Sequence, residues 1–549
     1  MTVRRSNLAG QNGGAQAAPK VKMVKTYIDE IEVGTPEFVE EETKKSKAER
    51  RKLPPGAESK TLYKDIVRIA WPSLIEMTLA SLVSMVDMMM VGKIPGMGSS
   101  AITAVSLATQ PRFLFMMLFM ALNTGATAVI ARARGAGNRD EANNILRHAF
   151  LLNCLMAIPM MIIGIFTAEP LIKFMGGDGV KNGTITAATV AASKTYLQIQ
   201  MAGFLPTIIP ITITAVLRGT GNSRVPMVYN IVANVVNVFL NWVLIYGNLG
   251  APAMGVAGAS LATIIGLCVA TVMALFSVLS GKNYLHLSFA KFKLNMRIIG
   301  QIIKVGVPAL IEQGIMRVGI IIFTRTIGSL GEVNMATHQV CMNIQSLTFM
   351  TGQAFAVSST TLVGQCLGKT RPDMAEHYSR RCRRLGLYVA LFLALTFSIG
   401  GGQVVKLYTD ASDPTYLQVV MLGALLMLFV AFLQPIQSSQ FILAGALRGA
   451  GDTRSTAVIT LITVLVVRPV FAWFFVSLLG WGDINFVLNP TLENIVMTLA
   501  GLHGKAEPGT ILVNLGLIGA WISIALDQIL RSTLVMARYN SGKWKKIKL

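Results

Sequence analysis

The stretch "AVLRGTGNSR" runs from Ala215 to Arg224, and "GALRGAGDTR" runs from Gly445 to Arg454. Both read Leu-Arg-Gly-x-Gly, then Asn or Asp, then Ser or Thr, then Arg, at a distance of 230 residues (448 − 218). The echo extends in both directions. "PSLIE" (Pro72–Glu76) returns as "PALIE" (Pro308–Glu312) at 236, and "ARARGAGNRDEA" (Ala131–Ala142) as "GQCLGKTRPDMA" (Gly364–Ala375) at 233. "GVAG" at Gly255 returns as "GLIG" at Gly516, at 261, so about 31 residues are inserted near 480–511 (261 − 230). Repeats that keep their order and spacing imply two structurally equivalent halves.

The 549 residues are 53% hydrophobic and 14% charged, where a soluble domain carries about 25% charged residues. Apolar runs near the roughly 20 residues needed to cross a bilayer recur twelve times. They cover 66–92, 102–131, 145–167, 190–217, 225–246, 255–280, 301–327, 336–365, 384–408, 416–447, 455–479 and 512–537. Continuous β-alternation is absent, and helices satisfy their own backbone in lipid. The expected fold is an all-α polytopic membrane protein with twelve transmembrane helices. Six spans per half is an even number, so the two lobes form a parallel repeat.

The domains follow: a disordered cytoplasmic tail (1–65), a first six-helix lobe (66–280), a cytoplasmic linker (281–300), a second lobe (301–540) with the outer-loop insertion, and a basic cytoplasmic tail (541–549). The first 65 residues hold an acidic run, "IDEIEVGTPEFVEEE", and a basic one, "KKSKAERRK", with little to pack. No signal peptide is expected, because that region has no apolar core.

The net charge of +22 lies mainly in loops after even-numbered spans, among them Arg132, Arg134, Arg139, Lys291, Lys293, Arg297, Arg371 and Arg380. This is a positive-inside signal that places both termini in the cytoplasm of a plasma-membrane protein, not a nucleic-acid footprint. Five cysteines show no paired spacing, so neither a disulfide framework nor a zinc site is expected. "VGQCLGKT" resembles a phosphate loop but is one residue short between its glycines and follows no strand.

The repeated phrase closes one span and opens the next. Arg218 and Arg448 fall at helix C-termini, where cations suit the dipole and can reach anionic headgroups. Gly219 and Gly449 suit a left-handed cap, and Asn222-Ser223 and Asp452-Thr453 suit N-caps. The phrase therefore reads as a tight structural turn, with an inner gate as the alternative.

Of 27 Asp and Glu, only Glu76, Asp87, Glu312 and Asp527 fall within spans. An acid in lipid is a functional candidate by default. Asp527 has Arg531 at i+4, the spacing of a structural ion pair. Glu76 and Asp87, eleven residues apart, share one helix face about 16 Å apart. They are either proton-exchanging groups or neutral, hydrogen-bonded ones. "NVVNVFLN" adds Asn237 and Asn241, whose amides suit a protonated acid or sodium. Gln339, Asn343, Ser346, Met350 and Gln353 form a stripe on the eighth span that lines a substrate path or bonds neighbouring helices. Lone His338 reads as a packing residue.

"VDMMMVGKIPG", "ATAVIARARGAGNRDEA", both LRGxG turns and "MATHQVCMNIQSLTFMTGQAFAVSSTTLVGQ" occur in the order found in a known family. Over residues 66–540 the chain resembles the multidrug and toxic compound extrusion (MATE) transporters. The resemblance implies two lobes around a central cavity. It implies alternating access and export of cationic, amphipathic compounds, driven by inward H+ or Na+ with no other cofactor. By resemblance, Asp87, Asn237 and Asn241 map to a first-lobe cation site, although relatives carry Asp where Asn241 stands. Pro72 maps to a proline that lets the first helix bend. Phe323 stands where Asp87 would repeat, which favours first-lobe coupling, with Glu312 as a second candidate. A monomer working with small molecules and the bilayer is expected. The rival reading is a flippase for lipid-linked oligosaccharides, which calls for clustered basic residues; Arg112, Arg317, Arg325, Arg468 and Arg531 look scattered. An enzyme would need clustered acids or a nucleophile–base pair, and neither is legible.

Overall fold

The computed structural model describes residues 27–35, 37–39, 53–54, 58–94, 98–181, 186–290, 292–406, 416–487, 490–500 and 512–547. The apolar runs fold as helices. The first lobe holds α2 (Ser59–Gly92), α3 (Gly98–Gly135), α4 (Arg139–Phe166), α5 (Ala168–Lys181), α6 (Ala187–Ala202), α7 (Phe204–Gly219), α8 (Arg224–Tyr246) and α9 (Gly255–Leu279). The second holds α10 (Met296–Gly328), α11 (Glu332–Gly368), α12 (Pro372–Lys406), α13 (Tyr416–Gly449), α14 (Thr453–Thr460), α15 (Arg468–Trp473), α16 (Pro490–Ala500) and α17 (Leu515–Asn540). A four-residue helix, α1 (Tyr27–Glu30), precedes them.

Among the described residues, ten helices are long and apolar enough to cross a membrane. The pair α6 and α7, bent by 53° around Gly203, makes an eleventh. The fourth span is thus broken rather than continuous. The bend sits where the Ile264 side chain comes 2.3 Å from the place a Cβ on Gly203 would take. The remaining expected span, the eighth, is α11, which is long enough to cross but more polar than the others. Its polarity is used internally: Gln434 on α13 donates to Thr348 at 2.5 Å, and Gln345 donates to Gln437 at 3.4 Å. The eleventh span changes to π-helix at Leu461–Val467 and Phe474–Leu478, on either side of Arg468. Exposed Leu155, Val272, Phe276, Ile321 and Phe392 supply the outward apolar surface that a bilayer covers.

Three sequence expectations need correction. The first membrane helix begins at Ser59, inside the segment read as disordered tail. Residues 27–34 are also docked: Ile28 and Ile31 are buried, the Tyr27 amide donates to Asp65 at 2.9 Å, and Asp29 pairs with Arg134 at 2.8 Å. Two isoleucines three apart give that acidic run an apolar face, which its composition hides. The tail at 541–547 is packed as well as basic, with Trp544 fully buried against Tyr539. The insertion contains a short ribbon, β1 (Asn485–Val487) against β2 (Leu512–Asn514), and α16; residues 501–511 lie outside the described residues. Between the third and fourth spans lies α5, where hydrogen bonds from Lys173 and Lys194 hold the Glu169 carboxyl down to about 2. The phosphate-loop look-alike is interior α11 and its C-terminal turn.

The lobes meet at the face that carries both described terminal segments. There the ends of α3 and α11 cross so closely that a Cβ on Gly135 would lie 1.9 Å from the Gln365 carbonyl oxygen. A Cβ on Gly368 would lie 2.2 Å from that of Arg132. Gln365 donates to the Gly219 carbonyl at 3.0 Å, and Arg132, its counterpart in the other lobe, donates to the Ala450 carbonyl at 2.9 Å. Each lobe thereby grips the other's LRGxG turn. An apolar cluster drawn from Ile28, Leu62, Ile66, Leu362, Leu447 and Trp544 fills this seam.

Candidate functional site

Two polar rungs join α2 to α8. Asn230 donates to Glu76 Oε1 at 2.6 Å, and Asn241 donates to Asp87 Oδ1 at 2.6 Å. Both pairs are 154 residues apart (230 − 76 and 241 − 87), so the parallel helices keep one register over three turns. With its amide nitrogen turned toward Asp87, Asn237 donates to both carboxylate oxygens at 3.1 Å and accepts from Thr263 on α9. Gly266 lets α9 approach, since a Cβ there would stand 2.8 Å from the Ala233 carbonyl oxygen. Asn241 Oδ1 is buried and has no donor among the described residues. The structure thus brings Asp87, Asn237 and Asn241 together. It adds Thr263 and Asn230, which sequence reasoning missed. Asn230 stands eleven residues before Asn241, the Glu76–Asp87 spacing, and that signal was available.

The repeated phrase does other work than expected. Arg218 and Arg448 do not extend toward headgroups. Arg218 lies 2.8 Å from Glu76, and Arg448 lies 2.6 Å from Glu312. Thr456 donates to the second oxygen of Glu312 at 3.0 Å. A buried carboxylate is costly unless paired, and the arginine at the end of the fourth span is the available cation. Gly219 and Gly449 are helical; the left-handed positions are Gly221 (φ 88) and Gly451 (φ 82). Gly219 and Gly449 serve packing instead, because a Cβ on Gly449 would lie 2.2 Å from the Thr360 carbonyl oxygen. Neither Ser223 nor Asp452 caps through its side chain; Asn222 does, accepting from the Val225 amide at 3.4 Å, and Asp452 pairs with Arg538 at 2.7 Å.

The second lobe inverts the chemistry of the first. Phe323, at the position equivalent to Asp87, is buried. Beside it, Arg468 and Arg531 both pair with fully buried Asp527. The Asp527–Arg531 pair was legible from spacing, but Arg468 was not, and these arginines converge rather than scatter. They border a cavity of about 160 Å³ lined also by Gln345, Gln437 and Gln528. His338 is buried, with its ring 5.7 Å from both Phe323 and Trp521. Along α11, Gln339, Asn343 and Ser346 are exposed, and Met350 and Gln353 are half-buried. Ser346 lines the same cavity, while Gln345 and Thr348 make the cross-helix bonds. Of Glu76, Asp87, Glu312 and Asp527, Asp87 alone among the described residues is held by amides and not by an arginine. No cluster of three or more His, Cys, Asp or Glu able to hold a metal occurs among the described residues.

The family model described as MatE matches residues 72–243 and 308–474, one stretch in each lobe. A probable multidrug resistance protein NorM of Thermotoga maritima is 26% identical over 493 residues, covering 90% of this chain and 95% of that protein. An uncharacterized transporter, YisQ, of Bacillus subtilis is 24% identical, covering 87% and 94%. Among solved structures, an outward-facing multidrug resistance MATE family transporter superposes with a TM-score of 0.74 at 20% identity, covering 88% of this chain and 97% of that one.

Proposed function

Because the chain belongs to the MatE family, we propose that it is a multidrug-efflux transporter, and not an enzyme, that exports cationic, amphipathic compounds in exchange for inward protons or sodium. Asp87 carries this reading. Of those four carboxylates it is the one with no cationic partner among the described residues, and the buried, undonated Asn241 Oδ1 sits on the residue that binds it. A buried acceptor without a donor costs about 1–3 kcal/mol. A proton on Asp87, or a sodium ion between Asp87 and Asn241, relieves that cost. Asn237 serves either state, since its amide offers nitrogen to the carboxylate or, turned over, oxygen to a cation.

Alternating access follows if the ion and the drug compete for Asp87. A ligand shifts a conformational equilibrium only through its differential affinity for the two states. The lobes are joined at the terminus-bearing face, so the cavity that this reading calls for between them would open on the opposite one. The loop charge supports assigning the joined face to the cytoplasm of the plasma membrane. Pro72, inside the continuous helix α2, removes one backbone bond fifteen residues before Asp87 and is the proposed bending point. Glu76 and Glu312, each paired with an arginine of its own lobe, are assigned to holding that lobe's helices together. The open face of α11, from Gln339 to Gln353, is assigned to the substrate path of a monomer.

Proteoliposomes with separately imposed gradients test the proposal. Efflux of a fluorescent organic cation should follow either a proton or a sodium gradient. Efflux driven by neither gradient would overturn antiport.

A further inference from the structure

The first turns of α4 and α12 are equivalent at an offset of 233, and their surroundings differ. In the first lobe the linker lies against α4. The His286 amide donates to Asn143 at 2.8 Å, and the Asn295 amide donates to His148 Nε2 at 2.7 Å. Phe289 and Phe292 pack on Phe150 and His148, with ring centroids 6.2 and 5.0 Å apart. The protein's own chain therefore occupies that groove.

In the second lobe the counterparts of Asn143, His148, Phe150 and Leu151 are Glu376, Arg381, Arg383 and Arg384. The segment after α17 goes elsewhere: Trp544 buries itself against Tyr539, and the Ile547 carbonyl accepts from Arg132 at 2.8 Å. A cavity of about 510 Å³ remains between α12 and the end of α17. Its wall carries Arg380, Arg381, Arg383, Arg384 and Lys545 against a single carboxylate, Glu376. Glu376 is already shared by Arg380 and Lys545. Arg381 is held by Ser59 at 2.7 Å, and Arg383 reaches the Met536 sulfur at 3.8 Å. Arg384 is exposed.

Loop charge alone accounts for basic residues on this face. It does not account for a cavity, nor for three arginines replacing a histidine, a phenylalanine and a leucine in the groove that the other lobe fills with protein. We propose that this groove binds a phosphate-bearing anion, presented by an acidic phospholipid whose headgroup enters between α12 and α17. Basic pockets between membrane helices at this level suit such headgroups. The bound anion would occupy in the second lobe the place the linker occupies in the first. It would hold the end of α17, and with it Ile547 on Arg132, at the seam between the lobes.

The full-length protein in detergent is titrated with short-chain phosphatidylglycerol, short-chain phosphatidylcholine or inorganic phosphate, and occupancy is read by native mass spectrometry. Phosphatidylglycerol should bind and phosphatidylcholine should not. Arg383→Gln with Arg384→Gln should weaken phosphatidylglycerol about 30-fold, at roughly fivefold per charge. Lys293→Gln with Arg297→Gln removes the same charge from the exposed first-lobe rim and should change nothing. Equal weakening by both pairs would reduce the effect to general surface attraction and overturn the site. Displacement of the lipid by millimolar inorganic phosphate would overturn the lipid source and assign the groove to a free phosphate; retained lipid assigns it to the headgroup.

Discussion

Arg218, at the end of α7, places its Nη2 2.8 Å from Glu76 Oε2 on α2, and the second lobe repeats the contact with Arg448 and Glu312. Both halves thus tie the middle of their first helix to the turn between their fourth and fifth. Both pairs are largely shielded: Glu76 side-chain exposure is 9% and that of Glu312 is 7%.

Breaking one partner leaves an uncompensated buried charge. Arg218→Gln or Arg448→Gln should lower unfolding stability by about 3–5 kcal/mol, while Glu76→Gln combined with Arg218→Gln should recover most of the loss. Thermal denaturation in detergent, arranged as a double-mutant cycle, measures this coupling. A cycle showing no coupling would make the arginines gate residues.

Asp87→Asn should abolish gradient-driven efflux and leave a folded, monodisperse protein, because the amide mimics the protonated acid without exchanging a proton. Asn241→Ala removes one hydrogen bond to a charged group, about 1.5–3 kcal/mol, and should slow efflux at least tenfold. Both are read in proteoliposomes. Wild-type efflux from Asp87→Asn would move coupling to the second lobe.

The close crossing of α3 and α11 leaves no room for a methyl group. Gly135→Ala with Gly368→Ala should part the helices and break the Gln365–Gly219 and Arg132–Ala450 bonds. Cys366, buried at this seam, then reports opening. In a variant retaining only that cysteine, thiol labelling should accelerate about tenfold, the effect of a shift near 1.4 kcal/mol. Unchanged labelling would show that the seam absorbs the bulk without opening.

The orientation proposed from the loop charge can be tested directly. Single cysteines at Arg139 and Arg297 should react from the cytoplasm, and one at Lys173, on α5, from outside. Labelling of position 173 from the cytoplasm would reverse the assignment.

Length and apolarity of the spans, the two-fold echo and the order of its phrases were legible in the chain, because each depends on local composition or on spacing along one helix. The proximity of Asn237 and Asn241, and the Asp527–Arg531 pair, were legible for the same reason: i and i+4 meet on any helix. The docked segment at 27–34 was missed because two buried isoleucines are invisible in an acidic average. The bend at Gly203 packs against Ile264, sixty-one residues further on.

The chain by itself therefore determined the membrane class, the repeat and the acids that cost most to bury. The tertiary structure decided which of those acids are neutralised. Arg218 and Glu76 are 142 residues apart (218 − 76), and Arg468 and Asp527 are 59 apart. No helical period connects such positions. Their meeting is set by how whole helices pack, and that packing leaves Asp87 facing amides where the other three face arginine.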